Sequence, residues 1–171
     1  MEQQLALVRG TGDVGSAVAH LLFRSGFRVV LHDVPRPAHT RRGMAFTNAL
    51  FERKTELAGV LAKNPRDIEG VTHMLACGHA LPVTTAAIEA VVDAFTPAVM
   101  VDARMRKRAT PEPQRHLAGI TIGLGPNFAA GEQTDGIRAD ELPDQRIVVA
   151  MPVVMQAGFL VRVLPLQTYR I

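Results

Sequence analysis

The 171-residue chain contains one cysteine, one tyrosine and no tryptophan. Because the lone Cys77 cannot form an internal disulfide, we expect a protein of a reducing compartment, the cytoplasm. No apolar run approaches the ~20 residues that a membrane-spanning helix requires. Residues 1–10 have neither a basic start nor a long apolar stretch, so we also expect no signal peptide and no membrane partner.

Lysine is scarce as well. Only Lys54, Lys63 and Lys107 are present, so arginine carries almost all of the positive charge. The formal net charge is only +3, and no stretch interleaves aromatic with basic residues, so we expect no nucleic-acid partner. Hydrophobic residues make up 47% of the chain, enough to form a core, and no repeat period is visible. We therefore predict a single globular domain over residues 1–171.

The start of the chain has the pattern of a strand, a helix and a second strand. An apolar run over 5–8 stops at a glycine-rich turn, and apolar residues at helical spacing follow over 13–25. Residues 27–32 are again apolar and β-branched. This order predicts a right-handed βαβ unit and hence a parallel sheet.

Strand and helix patterns continue to alternate along the chain. Further strands are predicted over 57–61, 81–83, 98–101, 119–122, 146–151 and 159–164, and helices over 41–50, over 65–76 and from a cap at Thr84 or Thr85 to Phe95. The polar stretch 132–144 predicts a surface loop. The pattern is typical of an α/β fold with a Rossmann-like, doubly wound, mainly parallel sheet, in which ligands bind at the carboxyl ends of the strands.

The turn after the first strand has the glycine spacing of a dinucleotide-binding loop. Such glycines allow a tight turn and a close contact between helix and strand, and they leave amides at the helix start to hold a phosphate. The predicted cofactor-binding residues of this turn are Gly10, Thr11, Gly12, Asp13, Val14 and Gly15. In the alternative interpretation the glycines only form a turn. A carboxylate would repel a phosphate placed on those amides, so we interpret Asp13 as a helix cap.

An acidic residue, Asp33, follows the second predicted strand. In a dinucleotide site an acid at this position hydrogen-bonds the 2′-hydroxyl of the ribose. Arg36, Arg41 and Arg42 come next and instead suit a 2′-phosphate. Asp33 favours the unphosphorylated ribose, and the alternative in which Asp33 only caps a loop stays open.

Two further segments follow predicted strands at the same sheet edge. Residues 101–108 combine Asp102 with four cations, which attract anions. For Arg104 and for Lys107, an anion site and a solvated loop are equally good interpretations, whereas Arg106 fits a solvated loop better. Residues 123–131 form a second glycine-rich turn, which can present amides to an anion but fits an ordinary turn better on composition alone.

Other chemistry has little support in the sequence. Cys77 lies one helical turn after His73, and we interpret it as an inert cysteine. His73, Cys77 and His79 lack a fourth ligand at suitable spacing, so we expect no metal site. No G-x-S-x-G motif is present, which argues against a serine hydrolase.

Three segments together resemble a known family. Residues 8–13 (VRGTGD), 101–108 (VDARMRKR) and 122–131 (IGLGPNFAAG) resemble the selenium-dependent molybdenum hydroxylase system proteins, relatives of the xanthine dehydrogenase accessory (maturation) factors. The resemblance covers about residues 5–131, and 132–171 diverge from it. It implies a Rossmann-like domain that binds the molybdenum cofactor, protects it and helps to deliver it in sulfurated form to a molybdenum hydroxylase apoenzyme. The residues to which it gives a ligand-site role are Arg9, Gly10, Gly12, Asp13, Asp102, Arg104, Lys107, Arg108, Gly123 and Gly125.

Two functions are compatible with these features. The first is a non-catalytic accessory protein that binds a molybdopterin-type cofactor, for example a dinucleotide form whose pyrophosphate lies on the glycine turn. The second is an NAD-dependent oxidoreductase or a redox-sensing NAD module, with Asp33 on the adenosine ribose. The second needs a substrate domain or a proton-transfer residue, and we identify neither in the sequence, so we favour the first. A homodimer is also expected, because small α/β domains with apolar late strands often form one.

Overall fold

The computed structural model describes residues 4–37, 43–106, 108–125 and 127–138. The strands are β1 (Leu5–Arg9), β2 (Arg28–His32), β3 (Lys54–Leu57), β4 (Val60–Lys63), β5 (Leu81–Thr84), β6 (Val99–Asp102), β7 (Ile120–Leu124) and β8 (Gly136–Arg138). The α-helices are α1 (Asp13–Arg24), α2 (Asn48–Glu52), α3 (Ile68–Cys77) and α4 (Ile88–Phe95), and Arg115–Leu117 forms a 3-10 turn.

The strands of the described residues form one sheet in the order β3-β4-β5-β2-β1-β6-β7-β8. Neighbouring strands are parallel, except that β3 and β4 are antiparallel. Helices cover both faces of this sheet, as its parallel strands require. The predicted α/β fold with a Rossmann-like, mainly parallel sheet is therefore confirmed.

The first strand shows why both faces of the sheet are buried. Side chains alternate between the faces, so Ala6 and Val8 belong to one core cluster while Leu5 and Leu7 belong to the other. The buried residues of α1 and α2 lie in the first cluster, and those of α3 and α4 lie in the second. Each face of the sheet thus packs against its own pair of helices.

One predicted strand is in fact a hairpin. The sequence predicted a single strand over 57–61, but β3 ends at Leu57 and β4 begins at Val60. The two residues between them, Ala58 and Gly59, have φ values of 47° and 78°. Two consecutive residues with positive φ form the tight turn that joins antiparallel strands.

Some predicted boundaries are also wrong. The helix predicted over 41–50 is the short α2, and 43–47 form turns and bends. Neither Thr84 nor Thr85 caps α4, which starts after Ala87 without a side-chain cap. The loop predicted over 132–144 gives way to β8, while 139–144 and the strands predicted over 146–151 and 159–164 lie outside the described residues.

The order of strands places a topological switch point next to β1. The chain leaves β1 through α1 to β2 on one side, whereas β6 lies on the other side of β1. The connections that follow β1 and β6 therefore diverge at the carboxyl ends of these strands. Open α/β sheets bind ligands at this kind of switch point. No helix of the described part of the chain is long and apolar enough to cross a membrane.

Candidate functional site

The glycine turn, residues 10–15, connects β1 to α1 at this switch point. Gly10 has a φ of 103°, and a Cβ atom there would lie 2.8 Å from the carbonyl carbon of Ala103. A Cβ atom on Gly15 would lie 1.8 Å from the carbonyl oxygen of Gly10. Both positions therefore require glycine, the first against the loop after β6 and the second between helix and strand.

The start of α1 is open at Gly12. A Cβ atom on Gly12 would meet nothing within 4 Å, and no side chain caps the helix. Asp13 is the first helical residue and is exposed, so its interpretation as the cap is wrong: the cap position belongs to Gly12. The Asp13 carboxylate still lies in the first turn, where it interacts favourably with the helix dipole.

The Asp33 side chain braces the glycine turn. Its Oδ2 accepts hydrogen bonds from the Thr11 amide at 2.7 Å and from the Thr11 hydroxyl at 2.8 Å. Its Oδ1 accepts from the Val34 amide at 2.8 Å. Asp33 is buried, at 7% exposure, and Thr11 is fully buried. This geometry favours the interpretation in which Asp33 holds a loop over the one in which it binds a ribose.

Thr11 is also held from the opposite side. Its carbonyl oxygen accepts from the Ser16 hydroxyl at 2.8 Å and from the Thr47 hydroxyl at 2.6 Å. The Ser16 hydroxyl in turn accepts from the Phe46 amide at 2.8 Å. Sequence analysis missed Ser16 and Thr47, because their contacts with the turn depend on the tertiary fold.

A second group of polar residues lies at the same edge, on the α3 and α4 face of the sheet. We call it the arginine cluster; it comprises Arg9, Asp102, Arg104, Arg106, Glu112 and Gln114. Arg9 and Asp102 are paired in register on β1 and β6. Both are buried, at 5% and 1% exposure, although each is charged. Buried charges of this kind require partners.

Asp102 is the anionic centre of the cluster. Its carboxylate accepts from the Arg104 Nε at 3.0 and 3.2 Å and also from the Arg104 Nη2. The Gln114 amide donates to it at 2.8 Å, and Gln114 in turn accepts from the Arg9 Nη1 at 2.8 Å. Burial raises the pKa of Asp102, but the hydrogen bonds and charge of Arg104 outweigh this and hold the pKa below its usual value.

Glu112 closes the cluster on the solvent side. Its carboxylate accepts from the Arg9 Nη1 at 2.9 Å, the Arg104 Nη2 at 2.7 Å and the Arg106 Nη2 at 2.6 Å. Partial burial raises its pKa, but the bonds from Arg104 and Arg106 dominate and lower the pKa far below the usual range. The sequence favoured a solvated loop for Arg106, but its side chain instead pairs with Glu112.

Sequence analysis did not identify Glu112, which lies between two prolines at 111 and 113, as a site residue. Glu112 follows the run of cations in 104–108 by only a few residues, and that charge complementarity is the signal that points to a partner. Gln114, fully buried, carries no comparable signal.

Two buried polar atoms near the switch point have no partner among the described residues, Arg9 Nε and His32 Nδ1. His32 pairs in register with Arg9, and its Nε2 lies 2.9 Å from the Ala86 carbonyl oxygen. Since a carbonyl only accepts, Nε2 carries the proton and Nδ1 is left as an acceptor. Burial lowers the pKa of His32, and the nearby Arg9 lowers it further, against the opposing effect of the Ala86 bond.

The glycines of the second glycine-rich segment pack closely against neighbouring side chains. A Cβ atom on Gly123 would lie 2.4 Å from the Phe128 ring, so that ring covers the strand end. Gly125 has a φ of 106° and packs near the Met105 sulfur. These contacts explain both glycines as packing positions and agree with an ordinary turn.

Other predicted residues lie away from the cluster or outside the described chain. Arg36 and Arg108 are exposed, and Val14 packs partly buried against the core. Lys107, Arg41 and Arg42 lie outside the described residues.

Cys77 is exposed, with its sulfur 3.8 Å from the His73 Nδ1. No group of three or more metal-ligating side chains occurs in the described segments. A cavity of about 180 Å³, lined by Phe23, Phe27, Arg28 and Leu75 among others, lies near the amino ends of β2 and β5, away from the switch point.

Comparison with known proteins gives few relatives. No family model matches the chain. Over 134 residues it is 31% identical to the "Uncharacterized protein YqeB" of Escherichia coli (strain K12), an alignment that covers 78% of this chain and 24% of that protein. The chain thus spans about a quarter of that relative's length. Among solved structures, Cryptosporidium parvum malate dehydrogenase is 14% identical with a TM-score of 0.35, and the alignment covers 72% of this chain and 38% of that one.

Proposed function

We propose that this protein is a non-catalytic accessory protein of a molybdenum hydroxylase, and that it binds a nucleotide-bearing molybdopterin-type cofactor. The observation that supports this most is the contact of Gly10 with the backbone of Ala103 and Arg104. That contact joins the uncapped start of α1 to an arginine-rich loop at the switch point of the sheet. Helix amides and guanidinium groups are two kinds of donor that commonly hold a pyrophosphate in proteins.

Most of the residues present fit such a ligand, whereas the exposed Asp13 carboxylate in the first turn of α1 opposes a phosphate there. The glycine turn would accept the pyrophosphate at Gly12, where no atom outside residues 11–13 lies within 4 Å of the Cβ position. Arg9 and Arg104 would lie beside it, and the unpartnered Arg9 Nε and His32 Nδ1 are a donor and an acceptor for polar groups of a ligand. The bound cofactor supplies redox chemistry to the recipient hydroxylase, while the residues of this chain bind it, orient it and shield it from water.

NAD fits these contacts less well. A nicotinamide dinucleotide places its adenosine ribose against the acid that follows the second strand. Here both oxygens of Asp33 already accept hydrogen bonds from Thr11 and Val34. Asp33 is therefore less suited to bind the ribose of NAD, and an experiment that tests the pterin nucleotide must also test NAD.

A cofactor-transfer assay tests the proposal. The protein is incubated with a molybdopterin dinucleotide cofactor, freed of excess ligand and mixed with a cofactor-free molybdenum hydroxylase, whose recovered activity is measured. The matched variants are Gly12→Val, which fills the open space at the helix start, and Ala17→Val, which places the same valine side chain at an exposed position of α1.

We expect the wild type and Ala17→Val to activate the hydroxylase equally, and Gly12→Val to lose about tenfold or more in binding, because its side chain occupies the phosphate position. The proposal is wrong if the wild type activates no better than free cofactor, or if NAD(H) binds it more tightly than the pterin nucleotide does.

A further inference from the structure

The arginine cluster has the form of an anion site that is filled by a side chain of the protein itself. Three guanidinium groups, from Arg9, Arg104 and Arg106, donate to the one carboxylate of Glu112 at 2.6 to 2.9 Å. The side chain of Glu112 is 43% exposed, whereas those of Arg9 and Arg104 are 6% and 14% exposed. The carboxylate therefore lies on the solvent side of Arg9 and Arg104, which are nearly buried, while Arg106 is 31% exposed.

The arginines keep other partners if Glu112 leaves. Arg9 is held by Gln114 at 2.8 Å, and Arg104 is held through its Nε by both oxygens of Asp102. Arg106 also approaches Asp102, at 3.8 Å. Since Asp102 and Gln114 are buried, the donor groups stay preorganised without Glu112.

The Glu112 side chain is the most exposed in the cluster. The described residues of 103–114 form neither helix nor strand, so a change in the Glu112 side-chain rotamer would leave the sheet in place. Once the Glu112 carboxylate leaves, three guanidinium groups face a single carboxylate, that of Asp102. The vacated position then has an excess of positive charge and unused donors.

We propose that Arg9, Arg104 and Arg106 form a binding site for a phosphate or pyrophosphate group, and that the Glu112 carboxylate occupies this site until such a group displaces it. This inference rests on the proposed function, since it names the residues that receive the ligand's phosphates. The site adjoins the glycine turn through the contact of Gly10 with Arg104. Displacement exchanges one set of charge-assisted hydrogen bonds for another, so the internal carboxylate lowers the affinity of the site and makes it selective for ligands with more than one negative charge.

Inorganic pyrophosphate is a probe that carries no pterin and no nucleoside. Its binding is measured by calorimetric titration at low ionic strength in the wild type, in Glu112→Gln and in Glu52→Gln. Glu52 is exposed at the end of α2, so its variant changes the net charge equally without touching the cluster. We expect Glu112→Gln to bind pyrophosphate about tenfold more tightly than the wild type, because the competing charge is gone, and Glu52→Gln to bind like the wild type.

A second variant tests the arginines. Arg106→Gln, introduced into Glu112→Gln, is expected to remove most of the gain, and the unfolding midpoint of each variant shows whether it is folded. The inference is overturned if folded Glu112→Gln binds no more tightly than Glu52→Gln, or if the double variant keeps the full gain.

If Glu112→Gln does not fold, the single variant Arg106→Gln tests the site. We then expect it to bind pyrophosphate more weakly than the wild type. Unchanged binding there would overturn the site. Pyrophosphate binding does not depend on a pterin, so a failed cofactor transfer leaves this result intact. Conversely, if cofactor transfer succeeds but Glu112→Gln does not change pyrophosphate binding, the displacement of Glu112 is wrong and the proposed function stands.

Discussion

At the scale of single residues, the carboxylate of Asp33 connects β2 to the glycine turn. Sequence analysis placed this acid correctly at the end of the second strand and left two roles open for it, a ribose contact and a loop cap. The structure shows it accepting from the backbone and hydroxyl of Thr11, which is fully buried. Sequence position alone cannot distinguish these roles, because they differ only in where the carboxylate points.

Removal of this carboxylate is expected to destabilise the fold. Asp33→Ala leaves the buried Thr11 amide and hydroxyl without an acceptor, which costs about 3 kcal/mol in the free energy of unfolding. Asp93→Ala, at an exposed position of α4, is expected to change that free energy by less than about 0.5 kcal/mol. Urea unfolding of both variants measures the difference. Equal stability of Asp33→Ala and the wild type would contradict the bracing role.

His32 gives the protein a pH-dependent stability. Burial holds its pKa below the ordinary value of 6.5 in the folded state. Below that pH the unfolded chain takes up a proton more readily than the folded one, so the free energy of unfolding falls as the pH decreases from about 6.5. The slope from this one group reaches at most about 1.4 kcal/mol per pH unit.

The measurement is the slope of the unfolding free energy between pH 7 and pH 5. In His32→Gln the slope is expected to be flatter than in the wild type, whatever the stability of the variant itself. A slope in His32→Gln that equals the wild-type slope would show that His32 does not titrate as its burial implies.

At the scale of elements, the sequence predicted β1, α1 and β2 well, since each has an unbroken apolar pattern and a glycine or polar boundary. It failed between β2 and α3. There the hairpin turn at Ala58 and Gly59 lies inside a run that reads as one strand, and 43–47 form turns that are held by contacts with the glycine turn. Local patterns do not encode such contacts.

The junction of β1 and α1 tolerates no side chain at Gly15. In Gly15→Ala the new methyl group would overlap the Gly10 carbonyl oxygen, so helix and strand must separate. We expect a loss of about 3 kcal/mol in unfolding free energy, as found for overpacked sites. In Gly12→Ala, where the space is open, we expect less than about 1 kcal/mol. Chemical unfolding of Gly15→Ala and Gly12→Ala measures both free energies of unfolding. Comparable losses in the two variants would be inconsistent with the close packing at Gly15.

At the scale of the whole molecule, the parallel sheet was predictable, and so was the position of the glycine turn, Asp102 and Arg104 at one edge. The partners Glu112, Gln114, Ser16 and Thr47 were not, because they are brought to that edge by the tertiary fold. The expected homodimer, the cytoplasmic location and the molybdenum hydroxylase partner stay predictions.

The central claim is that the switch point between β1 and β6 holds a pterin nucleotide. Native mass spectrometry of the gently purified protein, combined with an absorbance scan of the same sample, tests it most directly. A bound pterin absorbs at longer wavelengths than a chain with one tyrosine and no tryptophan. The account predicts an added mass that matches a molybdopterin nucleotide, together with this long-wavelength absorbance. NAD(H) bound at stoichiometric occupancy would contradict it.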